Sequence, residues 1–106
     1  MAQFDVYRTP GGRNSAIPYV VSLQWTRLDH LATRLVAPLA LRNAAPAIEN
    51  HHLTPCFELQ GQQLWLDIFN LATVPVVRLD HKVGSLADED SRSKIIRALD
   101  ELVSQA

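Results

Sequence analysis

Thr54-Pro55-Cys56-Phe57-Glu58-Leu59-Gln60-Gly61-Gln62-Gln63-Leu64-Trp65-Leu66-Asp67-Ile68 is the stretch that decides the fold. Two short apolar runs flank Gln60-Gly61-Gln62, and a glycine in a short polar connection between apolar runs signals a β-hairpin. Trp65 stands between Leu64 and Leu66 and reads as half-buried packing. Cys56, beside Phe57 in the partner run, reads as a core thiol, inert because an apolar setting raises its pKa.

Outward from the hairpin the chain stays β-like. Gln3 to Thr9 alternates Phe4 and Val6 with Asp5 and Tyr7 and predicts a strand. Pro10-Gly11-Gly12 breaks it, and Arg13-Asn14-Ser15 extends a polar hairpin loop. Ile17 to Gln24 is rich in β-branched and aromatic residues and predicts a second strand, with Pro18 suggesting an edge or a bulge. Arg34 to Leu41 predicts a third, where Pro38 again suggests an edge. Residues 42–52 read as a long loop, with one short helical turn at Ala44–Ile48. Beyond the hairpin, Val74 to Leu79 predicts a further strand.

The period then changes. Ile95, Ile96, Leu99, Leu102 and Val103 recur as one face of an amphipathic helix over about 88–103. Asp88, Glu89 and Asp90 fall at its first turn, where the positive end of the helix dipole favours anions. Ser85 with Asp88 three residues on resembles a capping box. The whole is mainly β: a small, bent barrel of short strands over about 3–83, plus one C-terminal helix, in a single domain 1–106.

Composition narrows the function. Of 106 residues, 47% are hydrophobic and 20% charged, and ten basic against eleven acidic side chains leave a net charge of −1. A protein that binds bare nucleic acid needs surplus cations for phosphates, so direct nucleic-acid binding is not expected. The single cysteine excludes an internal disulfide and a multi-thiolate metal site. It fits a reducing cytoplasm. No export signal or membrane-spanning run is visible, so a cytoplasmic protein without membrane attachment is expected.

No constellation of catalytic residues stands out. His30, His51, His52 and His81 lack the spacing of metal ligands, so neither metal nor cofactor is expected. No glycine-rich phosphate loop is present. Arg78-Leu79-Asp80-His81 is the one cluster suited to acid–base work, with Arg78 and Asp80 sharing a strand face. A surface charge pair at a strand end explains it as well. Trp25, among Gln24, Thr26 and Arg27, is the largest apolar side chain in a polar setting. It reads either as a partner anchor or as a lid on the barrel end.

Several blocks together resemble the CcdB toxin family. They are Gln3-Phe4-x-Val6-Tyr7, Ala37-Pro38-Leu39, Leu53-Thr54-Pro55 and, above all, Ala72-Thr73-Val74-Pro75-Val76, in order and at matching spacing across essentially the whole chain. The resemblance implies an SH3-like β-barrel, as in CcdB and MazF, with five to seven short strands and a C-terminal helix. It implies a homodimeric, non-enzymatic toxin of a type II toxin–antitoxin module. Such a toxin binds the A subunit of DNA gyrase, traps its cleaved-DNA complex, and is neutralised by a co-encoded CcdA-like antitoxin. Family contacts with gyrase map here to Trp25, Arg27 and Leu28 after the second strand. They map also to Arg97 and Asp100 on the helix and to the terminal Ser104, Gln105 and Ala106. The antitoxin side maps to Tyr7, Val21 and Leu23, the last two sharing a face at i, i+2.

One departure stands out. The best-known members end in Trp-Gly-Ile, whereas this chain ends in Ser104-Gln105-Ala106. Losing a tryptophan anchor typically costs on the order of 2–4 kcal/mol. Two alternatives follow: a MazF/Kid-like endoribonuclease using Arg78, Asp80 and His81, or a degenerate toxin that keeps only antitoxin binding.

Overall fold

The computed structural model describes residues 3–10, 16–28, 30–42, 52–79 and 81–103. Within them lie seven strands, β1 (Asp5–Arg8), β2 (Tyr19–Ser22), β3 (Thr33–Leu41), β4 (Cys56–Leu59), β5 (Gln62–Leu66), β6 (Ala72–Pro75) and β7 (Lys82–Ser85). One helix, α1 (Glu89–Val103), closes the chain. The strands form one antiparallel sheet in the order β4-β5-β3-β2-β1-β7, with β6 also paired to β3. The sheet curls into a half-barrel, a mainly β fold with one C-terminal helix as expected. Its two ends approach one another through side chains. Gln60 Nε2 donates to the Val83 carbonyl at 3.0 Å, and a Cβ on Gly84 would sit 3.0 Å from Leu59 Cδ1.

The deciding hairpin is as expected. Gln60 and Gly61 form its tip with φ of 56° and 74°, and Leu59 pairs with Gln62. Two central residues with positive φ match the right-handed twist of the flanking strands. Cys56 departs from expectation: it is half-buried, because strand alternation sends Phe57 and not its neighbour into the core.

Neither proline marks an edge strand. β2 lies between β1 and β3, and Pro18 sits just before it. β3 is the most central strand and pairs with three others. Pro38 is tolerated there for a geometric reason. Its carbonyl accepts from Asp67 N at 2.9 Å, and N and C=O of one strand residue face the same side. On that side β5 pairs only from Leu39 onward and β6 only up to Val36, so the ring nitrogen faces the seam between them.

Two further expectations are corrected. The segment predicted as a strand from Val74 to Leu79 divides at Pro75, with β6 before it and a 3₁₀ turn at Val76–Arg78 after it. β7 was not anticipated. Lys82-Val83-Gly84-Ser85 has little intrinsic strand character, and pairing with β1 makes it one. The polar loop at 11–15 and the helical turn at 44–48 lie outside the described residues.

The main core joins one face of the sheet to α1, with Phe4, Val6, Val21, Leu23, Ala37, Leu39, Leu64, Leu66, Ile68 and Ile95 at its heart. Tyr7, Val20, Val36 and Leu79 form a second, smaller cluster. In α1 the buried stripe runs through Ile95, Ala98, Leu99 and Leu102, while Ile96 and Val103 are exposed. Each lies about 100° round the helix from a residue of the buried stripe, which turns it outward. Asp88, and not Ser85, caps the helix: its carboxylate accepts from Ser91 N at 3.1 Å. Ser85 Oγ serves Ala87 N instead.

Candidate functional site

The segment joining β2 to β3 carries the features of a contact surface. β2 ends at Ser22, and Leu23 turns its side chain into the core while its N donates to the Leu35 carbonyl at 2.9 Å. The chain then leaves the sheet. Leu28 N donates to the Trp25 carbonyl at 2.8 Å across the 3₁₀ helix Thr26–Leu28, and Leu31 N donates to the Leu28 carbonyl at 3.1 Å. Trp25, Leu28 and Leu31 follow one another at three-residue spacing along the segment. All three are exposed, Trp25 by 54%. The guanidinium of Arg27 lies 5.0 Å from the Trp25 ring centroid, close enough for a cation–π contact. Leu31, absent from the expected residues, is exposed beside them, and its three-residue spacing from Leu28 is readable in the sequence.

The helix residues form a second group. Arg97 is exposed on α1, with Nη2 2.9 Å from His52 Nε2 and Nε 3.6 Å from Glu101 Oε1. Asp100 is exposed three residues on. Ser104, Gln105 and Ala106 lie outside the described residues. The start of the helix and the Trp25 segment are tied through the N-terminus. Arg92 lies over the Phe4 ring at 5.7 Å, and the neighbouring Gln3 N donates to Thr26 Oγ1 at 3.3 Å.

Tyr7, Val21 and Leu23 do not make one exposed face. Tyr7 is 5% exposed, Val21 0% and Leu23 6%. Val21 and Leu23 do point the same way, into the main core. Tyr7 pairs with Val20, one register position from the Val6–Val21 pair, and so falls on the opposite side of the sheet.

Arg78 sits exposed in the 3₁₀ turn after β6 and not on a strand, so the alternation that would align it with Asp80 does not apply. Asp80 lies outside the described residues, and His81 is exposed. Among the described residues no three His, Cys, Asp or Glu side chains converge as a metal site. No helix among them is long and apolar enough to cross a membrane. The clearest electrostatic shift is at Asp88. Hydrogen bonds from the backbone and then the side chain of Ser91 hold its carboxyl below the ordinary value of 3.8, with the Lys94 charge adding to them.

Seven strands curled into a half-barrel against one helix, with Trp25, Leu28 and Leu31 exposed between β2 and β3, define a small mainly β protein. A sequence model of the CcdB protein matches residues 3–104, nearly the whole chain, and the chain belongs to the CcdB family of toxins. No curated protein matches the chain.

Proposed function

We propose that this chain is a CcdB-like toxin of a type II toxin–antitoxin module that binds the A subunit of DNA gyrase and poisons the enzyme. It acts by recognition, with no covalent chemistry of its own. The observation that carries the proposal is the exposure of Trp25 beside Arg27 and Leu28, on a loop anchored to both β2 and β3. An aromatic ring and an arginine presented together are typical interface anchors. Arg97, Asp100 and the terminal Ser104, Gln105 and Ala106 supply the second part of the surface.

The working form is a cytoplasmic homodimer. A two-fold symmetric toxin offers the same patch on both protomers, which suits a target with its own two-fold axis. A CcdA-like antitoxin neutralises it, wrapping the barrel as a segment that orders on binding. Tyr7, Val21 and Leu23 shape the antitoxin's seat from beneath, since their side chains are interior. With a net charge of −1, operator binding by the complex falls to the antitoxin.

A gyrase supercoiling assay with the purified chain tests the proposal. Inhibition with accumulation of cleaved DNA, reversed by the antitoxin, is expected. Undisturbed supercoiling without trapped DNA overturns it, as does RNA cleavage abolished by Asp80→Ala.

A further inference from the structure

We infer that Gln24 and Arg34 are positioning residues that hold the Trp25–Leu31 segment in its docking shape before any partner arrives. The inference rests on the gyrase-docking proposal and adds the side chains that preform the surface.

The last backbone rung between the two strands is Leu23 N to the Leu35 carbonyl. Beyond it the carboxamide of Gln24 takes over. Its Oε1 accepts from Leu35 N at 3.1 Å, which replaces a backbone carbonyl in the ladder. Its Nε2 donates to the carbonyls of Leu28 and Thr33, each at 3.2 Å. One amide therefore links the end of β2, the 3₁₀ turn and the start of β3, with its oxygen and its NH₂ both engaged.

Arg34 works from the other stem. It is only 3% exposed, and its Nη1 donates to the carbonyls of Leu31 and, at 2.9 Å, Thr33. The two side chains thus converge on Thr33 and between them hold the carbonyls of Leu28 and Leu31, two of the three exposed apolar residues. Gln3 adds a third tie through Leu23 and Thr26.

Any loop must satisfy its carbonyls, and that need alone would account for one such bond. What it does not account for is two polar side chains converging on a segment whose exposed large apolar residues are Trp25, Leu28 and Leu31. Left free, such residues would fold back onto apolar surface. Held out, they offer a partner an ordered ridge, and the ordering cost of binding is already met within the free protein.

The test uses the full chain with Trp65→Phe, which leaves Trp25 as its sole tryptophan. In this background Gln24→Ala removes all three bonds. Gln24→Glu keeps the acceptor for Leu35 N but loses both donors. Both variants are expected to keep the far-UV circular dichroism of the parent while Trp25 anisotropy falls and acrylamide quenching rises. Their affinity for gyrase A drops roughly tenfold, the factor that corresponds to about 1.4 kcal/mol. Gln24→Asn, with the amide one methylene short, carries the same readouts if the alanine variant does not fold. Unchanged Trp25 anisotropy and quenching overturn the inference. So does unchanged gyrase affinity in a parent whose Trp25→Ala variant loses binding. A Trp25→Ala variant that binds gyrase A as tightly as the parent defeats the docking proposal instead, and Trp25 anisotropy then decides the clasp by itself.

Discussion

Trp25→Ala should weaken gyrase A binding by roughly two orders of magnitude while leaving the fold in place. A tryptophan side chain offers about 200 Å² for burial. Trp25 is 54% exposed in the free chain, so about 100 Å² remains for a partner to cover. At about 25 cal/mol per Å² that area is worth about 2.5 kcal/mol, or roughly 50- to 100-fold in affinity. The free protein also loses the contact with Arg27, about 0.5–1 kcal/mol for an exposed cation–π pair, so a modest fall in thermal midpoint accompanies the change. Isothermal titration against the gyrase A subunit measures the first quantity, and far-UV circular dichroism with thermal melting controls for the second. Trp65, half-buried in β5 opposite Cys56, is the reference: Trp65→Phe should leave affinity unchanged. Affinity within threefold of the parent, in a folded Trp25→Ala protein, would refute Trp25 as the anchor.

Three other outcomes follow from the fold. Leu64 is fully buried in the main core, so Leu64→Ala should destabilise the protein by about 2–5 kcal/mol, read from urea unfolding. Gly61→Val places a β-branched residue at φ +74° and should cost on the order of 1–2 kcal/mol by the same measurement, although space around the glycine is open. Asp88 has a folded pKa below 3.8, so its contribution to stability is present above that value and lost as pH falls through the lowered folded value. Asp88→Ala should therefore lower the melting temperature at neutral pH and make little difference in strong acid. An equal effect at both pH values would contradict the cap.

The hairpin and α1 were legible because each is specified locally, by a turn between apolar runs and by a repeating apolar stripe. β7 was not, since its four residues become a strand only where β1 offers an edge. Pro38 misled for a related reason: a proline is an edge signal only if the neighbouring strand is continuous, and here two partners share one side of β3. Ile96 and Val103 fit the helical spacing but lie just outside the buried arc, which Ala98, small and easily overlooked, completes. Trp25 stood out by its polar neighbours, and those neighbours indeed leave it exposed. Gln24 and Arg34 carried no signal, because their bonds span up to eleven residues and exist only once the loop has closed. Tyr7, Val21 and Leu23 are interior, which the sequence does not show: Val21 and Leu23 pack into the main core, and Tyr7 into the smaller cluster on the other side of the sheet.

Hydrogen–deuterium exchange of the chain, free and bound to gyrase A, addresses the docking surface itself. Amides of the segment from Gln24 to Leu35 should slow on binding, while those of the buried hairpin at Cys56–Leu66 keep their free-state rates. Protection confined to other faces, with the Trp25 segment exchanging as fast as in the free protein, would contradict the proposed docking surface.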